Sequence, residues 1–107
     1  MSSKFVKNPE DPREAARTYV ELLRKKQLKG EVYYIGRVNP RHGYVDAFIT
    51  ILDNEEDNFI HAFRCEEELQ RKFPSAYFDF RVSNPKRYPE HYRRRLLETG
   101  WELYRIK

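Results

Sequence analysis

Two stretches, EVYYIGRV and YVDAFITIL, stand on either side of a short break from Asn39 to Gly43, and they leave this chain few choices of backbone. β-Branched and aromatic residues favour extended chain, whereas Asn, Pro and Gly favour a turn. Next comes DNEED, a polar run that suits a hairpin connection, and then NFIHAFR, which reads as a third strand. The expectation is a compact antiparallel meander. In NFIHAF a period of two puts Phe59, His61 and Phe63 on one face and Ile60 and Ala62 on the other, so that one face is core and the other a platform.

The chemistry of the same region is specific. Tyr44, Phe48, Phe59, His61 and Phe63 fall close together, interleaved with Arg37, Arg41, His42 and Arg64. Flat rings beside cations suit single-stranded nucleic acid. Bases stack on the rings for about 1–3 kcal/mol each while the cations track phosphates.

The flanking segments carry their own signals. Residues 1–10 are polar and are expected to be flexible. Asp11 is placed to cap a helix, with Pro12 at its first position and Glu14 completing a capping box. Ala16, Tyr19, Val20 and Leu23 follow helical spacing, and Gly30 is the expected stop. Beyond the third strand, CEEELQRKF reads as a helix with Leu69 and Phe73 on one face and Pro74 as its end. SAYFDFRVS then alternates, with Tyr77, Asp79 and Arg81 set against Ala76, Phe78, Phe80 and Val82. An arginine-rich helix is expected within SNPKRYPEHYRRRLLETG, with Pro85 and Pro89 bounding its start and Gly100 its end, Tyr88, Tyr92 and Leu96 as its stripe and Arg93, Arg94 and Arg95 around it. WELYRI makes a last strand.

At 107 residues the chain is expected to form one domain over residues 11–107, with room for a single core. Its charge is uneven: residues 53–68 carry seven acidic side chains and one basic, residues 69–107 ten basic and four acidic. Such asymmetry fits phosphate contact from the basic ends as well as ordinary solvated helix faces. Cys65, the one cysteine, has no partner in the chain for a disulfide or a CxxC zinc site. A phosphate-binding glycine loop, a dinucleotide fingerprint, HExxH and GxSxG are all missing, and His42, His61 and His91 are scattered. Asp46, Asp53 and Asp57 read as bulge and turn residues. No catalysis, cofactor or metal is expected. Apolar runs too short for a bilayer and a polar start without a secretory core point to the cytoplasm or nucleus.

A resemblance sharpens these expectations. The order G-x-V-N-x-x-x-G-Y, F-I-T, an acidic turn and F-I-H, carried by Val38, Asn39, Gly43, Tyr44, Phe48, Ile49, Thr50, Phe59, Ile60 and His61, resembles the cold-shock domain. It covers about a third of the chain. The resemblance implies an oligonucleotide-binding barrel in which the rings at Tyr44, Phe48, Phe59 and His61 stack on bases. The family's GYGF is GYVDAF here, Arg37 stands where its tryptophan is expected, and Ala62 replaces an aromatic. A narrower likeness, through LKGEVYYIGRVNP, DAFI and DNFI, is to the N-terminal cold-shock modules of RNase II/R-type exoribonucleases, which guide RNA to a separate catalytic domain.

The fold expected is therefore α+β: a five-stranded antiparallel barrel of the oligonucleotide-binding, cold-shock type. It would carry an N-terminal helix, a helix between strands three and four, and a helical insertion before strand five. The expected function is non-catalytic binding of single-stranded RNA or DNA. Stacking would fall to Tyr44, Phe48, Phe59, His61 and Phe63, and phosphate contact to Arg37, Arg41, His42 and Arg64 with attraction from Arg93, Arg94 and Arg95. Two alternatives remain. One is a protein-interaction module using the same aromatic face. The other is a degenerate, inactive nucleotidyltransferase-like domain, whose α/β layout requires residues 54–73 to be one helix and which lacks the Gly-Ser and paired aspartates of that family.

Overall fold

The computed structural model of the protein describes residues 12–53 and 57–106. Helix α1, Pro12–Lys25, buries Ala15, Ala16, Tyr19, Leu22 and Leu23, a stripe at helical spacing, and opens on the proline that suits its first position. It does not run to Gly30. Gln27 takes a left-handed conformation with φ of 64°, and the Leu28 N–H returns to the Leu23 carbonyl at 3.2 Å, which closes the last turn. The proposed Asp11 cap lies outside the described residues, as do residues 1–10 and 54–56.

Strands β1, Gly30–Asn39, and β2, Gly43–Leu52, pair antiparallel from Gly30↔Leu52 to Asn39↔Gly43. Their turn is held by the Asn39 side chain, whose Oδ1 accepts the Arg41 N–H at 2.8 Å and the His42 N–H at 3.2 Å. Gly43, with φ of 83°, supplies the left-handed residue that ends it.

The third strand of the expected barrel does not exist. Residues 57–72 form one helix, α2 (Asp57–Lys72), followed by β3, Phe78–Ser83, α3, Glu90–Glu98, and β4, Glu102–Ile106. The cause is visible in the spacing. Phe59, Ala62, Cys65, Leu69 and Phe73 recur every three or four residues; the helix sends the first four to the core, with Ala62, Cys65 and Leu69 fully buried, and Phe73 follows them just past its end. A strand would have turned Phe59 and Ala62 to opposite faces. The helical crossover also returns the chain in its original direction, so β3 pairs parallel with β2. The result is an open mixed sheet in the order β3-β2-β1-β4, α+β but not a closed antiparallel barrel.

Helices α1 and α2 cover one face of this sheet. There Tyr19, Phe48 and Phe80 form a ring cluster with centroids 5.2–5.4 Å apart. The other face carries Tyr33, Ile49, Ile51 and Leu103 beneath Tyr88, Leu96 and Trp101, and α3 has no fully buried residue. Central strand β2 is therefore buried on both sides from Val45 to Leu52.

Candidate nucleic-acid interface

β4 pairs with β1 at residues 30–34, and β3 with β2 at residues 46–51. The β1–β2 hairpin thus runs on past its neighbours and carries Arg37, Val38, Arg41, His42 and Tyr44 at its tip, all exposed. Tyr77, just before β3, packs flat on the His42 imidazole with ring centroids 5.0 Å apart and an interplanar angle of 24°. Tyr77 is still 53% exposed, so a ring face remains for a ligand.

From this stack the α3-side face of the sheet continues as a ribbon. Phe78, Phe80 and Val82 of β3 point into the helix-covered core, so Asp79 and Arg81 point to the other side. Arg37 reaches across Ala47 to pair with Asp79. The small side chain at position 47 leaves the guanidinium room to cross the sheet. Arg37, Asp79, Arg81 and the half-buried indole of Trp101 line a shallow cleft of about 90 Å³. Rings and cations thus alternate from the hairpin tip to the middle of the sheet.

On the helix-covered side of the hairpin the chemistry is different. Tyr44 lies over Gly36: a methyl group at position 36 would sit 2.0 Å from the Tyr44 hydroxyl. The Tyr44 hydroxyl hydrogen-bonds Tyr34, and the Tyr34 hydroxyl donates to Asp46 Oδ1 at 2.8 Å. Asp46 is fully buried, its Oδ2 has no hydrogen-bond partner among the described residues, and burial raises its pKa above the usual carboxylate value.

The structure brings together only part of the site expected from sequence. Arg37, Arg41, His42 and Tyr44 do converge on the hairpin. Phe48 does not belong with them: it is 1% exposed and forms the centre of the core. Phe59 packs against the same core. His61, Phe63 and Arg64 are exposed on α2, whose layer covers the opposite face of the sheet from Arg37. The period-two platform of Phe59, His61 and Phe63 is therefore corrected to three positions around a helix. Arg93, Arg94 and Arg95 lie on α3 as expected, with Arg93 turned to Glu31 and Arg94 to Glu90. Tyr77, Arg81 and Trp101 were not among the candidates. The alternation of SAYFDFRVS already placed Tyr77 and Arg81 off the core face, and that was the available signal.

Of the single helix over residues 54–73 that the transferase-like layout requires, residues 57–72 are helical and residues 54–56 lie outside the described residues. Its metal chemistry has no counterpart here. Asp46 and Asp79 point to opposite faces of the sheet, and among the described residues no three His, Cys, Asp or Glu side chains gather into a metal site. The Cys65 thiol is buried and pushed up to about 11, which leaves it protonated and unreactive at neutral pH. No helix among the described residues is long and apolar enough to cross a membrane. No family model matches this chain, and neither does any curated protein or solved structure.

Proposed function

We propose that this protein binds single-stranded nucleic acid, RNA in the first instance, without catalysis. The strand would lie along the ribbon from the hairpin tip to Trp101. One observation carries the reading: the exposed His42–Tyr77 stack and the Trp101 indole bracket Arg37 and Arg81 on one continuous face. Arg81 is exposed and makes no hydrogen bond or ion pair among the described residues, so its charge is available to a phosphate. A base stacked on Tyr77 with its phosphate on Arg81 or Arg41 uses the sequence-tolerant physics of single-strand binding.

Fluorescence anisotropy of labelled RNA and DNA oligomers at two salt concentrations tests this. Tyr77→Ala is expected to weaken binding about tenfold, within the range for loss of one base stack. Arg81→Ala should weaken all sequences alike and flatten the salt slope by about 0.7, the loss of one phosphate contact on a single strand. Phe63→Ala, on the α2 surface, should leave affinity unchanged. No binding at low salt, or a loss with Phe63→Ala as large as with Tyr77→Ala, would remove the ribbon from consideration.

A further inference from the structure

The far end of the same sheet face holds a second cluster, which no part of the ribbon uses. At the start of β1 the Glu31 carboxylate accepts three donors. Tyr33 donates its hydroxyl to Oε1 at 2.8 Å, Arg93 Nη1 reaches Oε1 at 3.3 Å, and Arg105 Nη1 reaches Oε2 at 2.8 Å. Both oxygens are thereby committed, and the two guanidinium groups are held apart from one another, one on α3 and one on β4. They line a cleft of about 280 Å³ together with Lys29 and Asp53.

The floor of this cleft is bare backbone. Gly30 has φ of 145°, and a methyl group added there would lie 2.0 Å from the Ile51 carbonyl oxygen, so only glycine lets β1 and β2 meet flush at this point. Arg93 supplies a separate observation: its Nε is buried and has no hydrogen-bond partner among the described residues. An unsatisfied buried donor on a charged group is costly, and such a group calls for an acceptor.

We propose that this cleft binds a phosphate monoester group. Three cations, Lys29, Arg93 and Arg105, line a space wide enough for a tetrahedral dianion together with two carboxylates, Glu31 and Asp53, which leaves the cleft with one net positive charge. Planar guanidinium forks suit phosphate oxygens, and Lys29 adds a mobile point charge at the rim. Glu31 is a positioning residue: it orders the arginines and does not itself meet the ligand. Asp53, whose carboxylate has no ion-pair partner among the described residues, opposes the anion and sets how tightly it is held. This site does not depend on the ribbon being an RNA path.

The test is a titration of the full chain with inorganic phosphate, followed by NMR shifts of the Lys29–Glu31 amides and by thermal unfolding, against sodium chloride at matched ionic strength. Phosphate should shift those amides saturably and raise the melting temperature above the chloride control. Arg105→Ala and Lys29→Ala, both at exposed positions, should each weaken phosphate about tenfold, and Asp53→Asn should tighten it severalfold. That opposite sign is one that general loosening of the fold does not produce. Equal effects of phosphate and chloride, a wild-type response in Arg105→Ala, or weaker binding in Asp53→Asn would each overturn the proposal. The source of the phosphate is read from matched oligonucleotides. A gain in affinity on 5′-phosphorylation that Arg105→Ala abolishes assigns a strand terminus, and no gain assigns a small phosphorylated molecule.

Discussion

The two faces of the sheet solve different problems with the same strands. Under α1 and α2, apolar side chains from two long helices meet alternate residues of every strand, and the interior is sealed by a stack of rings around Phe48. Under α3, a nine-residue helix rich in arginine covers Tyr33, Ile49 and Ile51 without burying any residue of its own completely. The first face keeps a cleft of about 210 Å³ at its edge, where Arg13 of α1 meets Tyr34, Tyr44 and Glu102. The second has cations, an indole and two clefts along its length. A central strand buried on both sides allows this division, because β2 fixes the fold through one set of side chains and lends the other set to a thinner cover.

Paired substitutions test that comparison most strongly. Leu69→Ala, which opens a cavity under α2, should destabilise the protein by about 2–5 kcal/mol in urea unfolding. Leu96→Ala, its counterpart under α3, should cost about 1 kcal/mol, since that side chain is only partly buried. Equal losses would mean that α3 is a full part of the core and that the face beneath it is no binding surface.

A second effect depends on pH and belongs to the helix-covered face. The raised pKa of Asp46 means that the folded state holds its proton more tightly than the unfolded chain does. The contribution of Asp46 to stability is therefore fully present below the unfolded carboxylate pKa of about 4 and is lost as pH rises through the folded value. Asp46→Asn keeps an oxygen for the Tyr34 hydroxyl and carries no charge to desolvate. It should be about 1–2 kcal/mol more stable than wild type at pH 8 and close to it at pH 4. A variant less stable at both values would show that the carboxylate is ionised and paired.

The smallest effect concerns the exit from α1. Gln27→Gly should stabilise by about 0.5–1 kcal/mol, because glycine occupies the left-handed region without the penalty a side chain incurs. No gain would indicate that the Gln27 side chain makes up the difference elsewhere.

Much of this architecture was legible in the chain. Pro12 with the Ala16–Leu23 stripe announced α1, the break around Pro40 and Gly43 announced the hairpin, and alternation announced β3 and β4. Residues 58–64 form a helix where the sequence predicts a strand because NFIHAF satisfies two periods at once. Six residues are too few to separate a period of 2 from one of 3.6, and the deciding positions, Cys65, Leu69 and Phe73, lay beyond the window that looked like a strand. The error then spread. A third antiparallel strand implies a barrel, whereas a helix at the same place implies a parallel crossover and an open sheet.

The site was legible where it is local and hidden where it is not. Arg37, Arg41, His42 and Tyr44 sit within eight consecutive residues and arrived together. Tyr77, Arg81 and Trp101 join them only because β3 returns beside β2 and because the chain re-enters the sheet at β4. The sequence alone does not place Phe48, because aromatic residues serve cores and platforms equally well, and only the packing of Tyr19 and Phe80 against it decides between them.

The order β3-β2-β1-β4 has one more consequence. An open sheet ends in two outer strands whose backbone groups can recruit a strand from another molecule, a route to aggregation that a closed cylinder avoids. Here those outer strands are short, six and five residues, and each carries an outward arginine, Arg81 on one and Arg105 on the other. On the proposals made above, the charges offered to a ligand also stand where self-association would begin, which would entrust solubility and recognition to the same two side chains.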